Sequence, residues 1–140
     1  MLDKIRYPQL GDDPAMSRDL PVLVRVTGTH TNVGTSEETT LQLGDSANTW
    51  LLHAFHYVRS SGDASNYQPR IGQAASFSAG DINERIAYAS TAVGTAINDV
   101  YTTPIPIRSD SNGRVYLKPG FDSGSDNDGD YELYFQLVRG

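Results

Sequence analysis

Apolar and polar residues alternate with a period of two along several stretches of the chain, which is the pattern of half-buried β-strands. In residues 21–29 the valines stand at every second position, and residues 130–139 alternate in the same way. Shorter stretches of this kind occur at 39–43, 71–77, 100–107 and 114–118. Turn-forming residues separate them. The pattern predicts seven or eight short strands, which is typical of an all-β sandwich or barrel.

Residues 49–59 form the most apolar stretch. A regular strand would place one set of side chains on one face: Trp50, Leu52, Ala54, His56 and Val58. It would place the other set on the opposite face: Leu51, His53, Phe55 and Tyr57. Because both faces would be largely apolar, we expect a central strand that is covered on both sides.

Two other segments have patterns that predict a particular structure, one a helix and the other an edge strand. Ile82 and Ile86 would share a helical face, with Ser78 or Asp81 as the cap, so one short helix is predicted over 82–89. Residues 100–107 contain two prolines that cannot donate to a β-ladder. This strand is therefore expected at a sheet edge or beside a subunit boundary.

Residues 1–20 lack a sustained period and are interrupted by proline and glycine. We expect them to form an extended N-terminal arm that is ordered only against another subunit. The chain is accordingly divided into an arm, 1–20, and a β-sandwich domain, 21–140. The apolar residues of the arm that would contact a partner are Leu2, Ile5, Tyr7, Leu10 and Met16.

Composition excludes several classes of function. The 140 residues have room for one domain, and the absence of cysteine excludes disulfides and thiolate metal sites. The formal net charge is −6, and the basic residues are scattered, which argues against nucleic-acid binding. No apolar run approaches the ~20 residues that a membrane-spanning helix needs. We therefore expect neither nucleic acid nor membrane as a partner.

The acidic loop at 122–130 is the best candidate for a metal site. Carboxylates at alternating positions suit a hard cation such as calcium, and the candidate ligands are Asp122, Asp126, Asp128 and Asp130. The spacing does not fit an EF-hand, because Gly124 and Phe135 would take positions that require carboxylates. A solvated turn is the simpler interpretation, so no cofactor is predicted.

The histidines give no recognisable catalytic motif. His53 and His56 would face opposite sides of a regular strand and could not share a metal. His30 lies in a predicted loop, and no G-x-S-x-G sequence accompanies it. The chain is predicted not to be an enzyme, although a small hydrolase that uses one of these histidines stays open as an alternative.

The C-terminal third resembles a family of small viral proteins. The segments TTPIPI at 102–107 and RVYLKPGFD at 114–122, with the strand that ends at Val138, are similar to decoration or cement proteins of tailed bacteriophages. The resemblance covers about 40 residues and is one of general pattern rather than of a diagnostic motif. It implies a jelly-roll-like β-sandwich of about seven to eight antiparallel strands with at most one short helix.

The same resemblance implies a function and partners. The chain would be a structural virion protein that binds the outer capsid surface as a homotrimer, contacts the major capsid protein and stabilises the shell. Within the domain, Trp50, Phe55 and Tyr57 would form the partner-binding stripe. The alternative is a carbohydrate-binding or receptor-binding module of a phage tail, which predicts exposed aromatic residues such as Tyr67 and Phe121.

Overall fold

The computed structural model describes residues 22–138, and these contain strands and turns but no helix. All pairings between the strands are antiparallel. The strands in chain order are β1 Leu23–Val33, β2 Thr39–Gln42, β3 Thr49–Ser61, β4 Asn66–Tyr67, β5 Arg70–Gly72, β6 Glu84–Ala87, β7 Thr91–Ala92, β8 Ile97–Arg108, β9 Arg114–Lys118 and β10 Asn127–Leu137. The predicted all-β sandwich is confirmed. The chain has more strands than expected because the sequence pattern does not indicate β4 and β7, which are strands of two residues each.

Two four-stranded sheets enclose one core. The first has the order β1-β10-β3-β8 and the second the order β2-β9-β5-β6, while β4 and β7 form a separate pair. Alternate residues of the facing strands meet between the sheets, including Leu52 and Leu133 from the first sheet and Ile71 and Leu117 from the second. These side chains are fully buried, so the sandwich is held mainly by hydrophobic contact between its two inner faces.

Apart from the short β4–β7 pair, consecutive strands lie in different sheets, except for β5 and β6, which are neighbours in the second sheet. When β4 and β7 are left out and the eight remaining strands are renumbered 1 to 8 along the chain, the strand orders of the two sheets become 1-8-3-6 and 2-7-4-5. Except for β5 and β6, the paired strands are therefore distant in sequence, as in Greek-key connections. This order agrees with that of a jelly roll, which is built from two Greek keys of four strands each.

Strand β3 departs from the regular alternation that the sequence suggested. On β10, Tyr134 and Phe135 are consecutive, but their partners on β3 are Ala54 and Leu52, so His53 is the additional residue of a β-bulge. The bulge reverses the alternation within the strand. As a result, Trp50, Leu52, Phe55 and Tyr57 all point into the core, which corrects the predicted assignment of the two faces.

The predicted helix at 82–89 is wrong. Residues 78–83 form turns, and strand β6 then pairs with β5, with Ile86 opposite Ile71. The Asp81 carboxylate accepts hydrogen bonds from the backbone N–H groups of Ser78, Asn83 and Glu84, which fixes a turn instead of a helix cap. Ile82 is 88% exposed, so the apolar face that suggested a helix does not exist.

The position of β8 agrees with the sequence. It is the edge strand next to β3 in the first sheet, as its two prolines predict. Between the pairs Leu52–Ile105 and Ala54–Val100 the register shifts, and residues 101–104 form a second irregularity beside the β3 bulge. Within residues 22–138 no helix could span a membrane.

Candidate protein-binding face

One face of the first sheet points away from the core, and we call it the outer face. Its cross-strand rows follow from the pairing: Arg25 lies opposite Tyr134, which lies opposite Ala54, which lies opposite Val100. A neighbouring row contains Leu23, Gln136, Leu51 and Pro106. No second layer of described residues covers this face, so its side chains are half-buried or exposed.

A groove crosses the outer face where the two irregular segments of β3 and β8 lie side by side. Its larger lobe has a volume of about 430 Å³, and its lining residues are Leu23, His53, Ala54, Val100, Tyr134, Phe135 and Gln136. The bulge turns both His53 and Ala54 outward, and the small side chain of Ala54 leaves a hollow between its larger neighbours. Because the lining is almost entirely apolar, the lobe suits an apolar side chain or an apolar ligand.

The smaller lobe is more polar. It has a volume of about 160 Å³ and shares Ala54, Val100 and Tyr134 with the first lobe. Its remaining lining includes His56, Asn98, Asp99 and Glu132. The two lobes therefore form one continuous groove, with an apolar end near Leu23 and an end that carries the Glu132 carboxylate. Asp99 lies opposite the inward-pointing Phe55, and its carboxylate contacts the Tyr88 hydroxyl on the core side.

The polar residues around the groove are fixed by contacts to one another. Arg25 Nε donates to Glu132 Oε2 at 2.5 Å and to the Tyr134 hydroxyl at 3.1 Å, while this hydroxyl donates to Glu132 at 2.9 Å. The hydrogen bond from Arg25 lowers the pKa of Glu132 and the same contact raises the pKa of Arg25, so both stay charged near neutral pH. The tyrosine ring is thereby held as one wall of the groove.

Two apolar side chains on this face are strongly exposed. Leu23 is 67% exposed and Val100 is 82% exposed. Single exposed apolar residues are common on protein surfaces. Here, however, both line the same concave apolar lobe, and clustered exposure of this kind marks interaction surfaces.

The structure places the predicted partner-binding stripe in the core. Trp50, Phe55 and Tyr57 are 3%, 1% and 0% exposed and pack between the two sheets of a single chain. They are therefore not available to a second chain, which corrects the prediction. The apolar sequence indicated burial, but it could not distinguish burial within one chain from burial between chains. The other predicted contacts, Leu2, Ile5, Tyr7, Leu10 and Met16, lie outside the described residues.

Sequence reasoning missed the groove residues for a definite reason. The sequence pattern makes Val100 the first residue of an edge strand and Leu23 part of an ordinary alternating strand. The signal that could have indicated the groove was the apolar segment 49–59 with its two histidines, His53 and His56, three positions apart. A single bulge divides this segment into one inward-pointing and one outward-pointing set of side chains.

His30 links strands of both sheets. Its Nδ1 lies 2.6 Å from the Tyr57 hydroxyl on β3, and its Nε2 lies 2.5 Å from Thr39 Oγ1 on β2. Burial lowers the pKa of His30 below its ordinary value of 6.5, so the ring is neutral at pH 7. Burial also raises the pKa of Tyr57, so its hydroxyl keeps its proton, and the tautomer of the neutral ring sets which partner donates in each of the two hydrogen bonds. Each ring nitrogen is thus used in a structural contact.

His53 and His56 lie on the outer face together, contrary to the expectation that they face opposite sides. His53 Nε2 is 2.7 Å from Gln136 Oε1, and His56 Nδ1 contacts Asn98 Oδ1. Neither contact joins a histidine to a serine or threonine nucleophile. No group of three or more potential metal-ligating residues occurs in residues 22–138.

The four acidic candidates of the 122–130 loop accept separate hydrogen bonds. Asp122 accepts from the backbone of Ser65, Asp126 from the backbone of Asp63, and Asp130 from Thr29 Oγ1. Asp128 accepts from the Asn32 backbone and from Ser61, and the first of these bonds lowers its pKa. The carboxylates fasten the loop to its neighbours, and the structure does not converge three of them on one point.

The aromatic residues that a carbohydrate-binding surface would expose are inside the protein. Tyr67 and Phe121 are 0% and 2% exposed, and they are joined by an isolated β-bridge. Tyr67 and Phe121 also pack their rings near Tyr57. The specific sugar-stacking residues that the alternative function required are therefore not available to a ligand.

Comparison with known proteins leaves the family open. No protein-family model matches the chain, and no curated protein matches it. Among solved structures, the chain is similar to a protein of the disulfide-linked pili of Bacillus endospore appendages. The identity is 8%, the match covers 86% of this chain and 89% of that chain, and the TM-score is 0.44. A likeness this distant carries no inference about function.

Proposed function

We propose that this protein is a structural module that works by assembly with other protein chains, and that the outer face is its contact surface. The observation that supports this proposal is the continuous groove of the outer face, in which Leu23 and Val100 are exposed beside an apolar lobe of about 430 Å³. Exposing this much apolar surface in water is unfavourable, and covering it with a protein partner would recover that free energy.

The specific setting that we propose is the outside of a phage capsid. The resemblance of residues 102–138 to decoration proteins supports a homotrimer that contacts the major capsid protein and stabilises the shell. The acidic net charge of −6 suits association with a protein surface better than with nucleic acid. Shell stabilisation needs only many contacts made at once, because linked contacts multiply into strong overall binding without any chemistry.

The contact role of the outer face is tested by placing a charge in the groove. Val100→Asp would bury an unpaired carboxylate in any interface that covers the apolar lobe, so we expect association to weaken by about ten-fold or more. Ile82→Asp is the matched control, because Ile82 is equally exposed but lies in a turn next to the edge strand of the other sheet.

Two measurements read out the effect. Sedimentation equilibrium over a concentration series reports self-association, and co-sedimentation with undecorated phage shells reports binding to the capsid. A selective loss in Val100→Asp supports the proposal. A wild-type chain that stays monomeric and does not bind shells would contradict it, as would equal behaviour of the two variants.

A further inference from the structure

Strand β1 has a long and regular open edge. It is the outermost strand of the β1-β10-β3-β8 sheet, and no other strand of residues 22–138 pairs with its outer side. From Leu23 to His30 it pairs with β10 without a register shift, and it contains neither proline nor lysine. An open edge of this kind is a template for pairing with a further strand.

The other sheet edges within residues 22–138 are protected against such pairing. Strands β2 and β6, at the two ends of the second sheet, have only four residues each. Strand β8 contains two prolines and an irregular register. Short strands, prolines and irregularities are the features by which proteins keep a sheet edge from pairing. Because Leu23–His30 has none of these features, β1 is the edge that is suited to accept a strand.

The hydrogen bonds to β10 show which backbone groups of β1 lie on the open side. The carbonyl oxygen of Val22 accepts from the N–H of Leu137 at 2.8 Å, so the even-numbered residues exchange hydrogen bonds with β10. Because this pattern alternates, the N–H and C=O groups of Arg25, Thr27 and Thr29 point away from β10. These groups can form a second ladder without disturbing the first.

The side chains along this edge are complementary to themselves. Arg25 lies two residues before Thr27, and Thr29 lies two residues after it and donates through Oγ1 to Asp130 Oδ1 at 2.9 Å. In an antiparallel pair of two β1 strands centred on Thr27, each Arg25 lies opposite Thr29 of the other copy. Each Arg25 is then beside Asp130 of that copy, because Asp130 pairs with Thr29 on β10.

Arg25 has hydrogen-bonding capacity for this contact. Its described hydrogen bonds, to Glu132 and to the Tyr134 hydroxyl, both use Nε. The terminal guanidinium nitrogens carry four further N–H donors. The side chain is 60% exposed, so these donors are accessible to a carboxylate of a second chain.

We propose that β1 of one copy pairs antiparallel with β1 of a second copy, about a two-fold axis through Thr27. The two ion pairs between Arg25 and Asp130 select a second copy over an unrelated strand, because one chain supplies both charges in the required positions. This contact goes beyond the proposed function, since it uses the edge of the sheet instead of the outer-face groove. A two-fold contact closes at two copies, so it would join neighbouring trimers rather than build one.

The same pairing covers apolar surface at the edge. Val24 and Val26 are half-buried and pack against the core from the outermost strand. In the register centred on Thr27, Val26 lies opposite Gly28 of the second copy, which has no side chain to obstruct it. Both valines therefore lose exposed area, and the two sheets become one continuous sheet.

A single introduced cysteine tests the pairing, because the natural chain has none. Thr27→Cys would place two cysteines on the axis with their Cα atoms about 5.5 Å apart, which is within the range of a disulfide. Leu23→Cys is the matched control on the same strand and face, where the two Cα atoms would be about 27 Å apart.

Disulfide-linked dimer is measured on a non-reducing denaturing gel after mild oxidation. We expect Thr27→Cys to form at least about ten-fold more dimer than Leu23→Cys. Equal yields from the two variants would overturn the inference.

Thr27→Pro tests the backbone ladder. The N–H group of Thr27 points away from β10, so proline should leave the fold intact and remove a donor only from the open edge. Self-association in sedimentation equilibrium should weaken about ten-fold or more relative to Thr27→Val, with little change in thermal unfolding. Unchanged association of a folded Thr27→Pro chain would overturn the inference, as would a wild type that stays monomeric.

The ion pairs have their own readout. Asp130→Asn should weaken self-association about three-fold at low salt, and the difference from wild type should shrink as ionic strength rises. Asp126→Asn removes the same charge from the loop before β10 and serves as the control. Equal association of the two variants would contradict the register centred on Thr27.

The results separate this inference from the proposed function. If Val100→Asp weakens association and Thr27→Pro does not, the edge contact is rejected and the contact role of the outer face stands. The opposite result supports the edge contact and rejects the outer face.

Discussion

The two faces of the β1-β10-β3-β8 sheet are built from the same strands but differ in how far their apolar side chains are exposed. On the inner face of β3, Trp50 and Leu52 are 3% and 0% exposed and meet the second sheet. On the outer face, Leu23 and Val100 are 67% and 82% exposed. The inner residues hold the sandwich together, whereas the outer apolar residues contribute little to the fold of a single chain. The contact with another chain that we propose would account for their presence on this face.

The largest effect expected from this difference is on stability. Leu52→Ala should lower the free energy of unfolding by about 2–5 kcal/mol, because it leaves a cavity between two packed sheets. Leu51→Ala, one residue earlier on the half-buried outer face, should cost less than half as much. Urea denaturation of both variants measures the two values. Equal losses would show that the outer face is as tightly packed as the inner one.

A smaller effect concerns the polar contact between the sheets. His30→Leu removes the partner of the buried Tyr57 hydroxyl and should cost about 1–3 kcal/mol at pH 8. Phe121→Leu, at a nearby buried position, is a volume-reducing control that leaves these hydrogen bonds intact.

The same histidine predicts a dependence on pH. Its pKa in the folded chain lies below the ordinary value of 6.5, so the unfolded chain binds a proton first as the pH falls through 6.5. The free energy of unfolding of the wild type should therefore decrease from about pH 7 towards pH 5. His30→Leu should show a shallower decrease over this range. Denaturant titrations at each pH compare the slopes, and parallel curves would contradict the assignment.

Removing the bulge of β3 should have the smallest effect on stability and the most direct effect on the groove. Deleting His53 restores strict alternation and leaves Leu52 and Phe55 pointing inward, so we expect a loss of at most about 1 kcal/mol. Deleting Leu52 instead would turn His53 towards the core and should prevent folding. Thermal unfolding compares the stabilities of the two deletion variants. If the His53 deletion is the more damaging, the bulge is needed for the fold and not only for the outer face.

The alternating segments were sufficient to predict much of the fold. The valines of 22–26 and the strand around Leu133 follow the period of two, and the prolines at 104 and 106 correctly indicated an edge. The helix over 82–89 was predicted wrongly because two isoleucines four apart fit a helical face. The Asp81 side chain binds three backbone amides and fixes a turn, which an apolar period cannot reveal.

The sequence by itself determined that this chain forms an all-β sandwich, because strand alternation is a local property that each segment carries independently. Only the tertiary structure decided which apolar residues belong to the core and which to the surface. One additional residue, His53, shifts the register of β3, returns Phe55 and Tyr57 to the core, and opens a groove beside Ala54. A bulge arises from the pairing of β3 with β10 and β8, which are distant in sequence, so the segment 49–59 could not specify it alone.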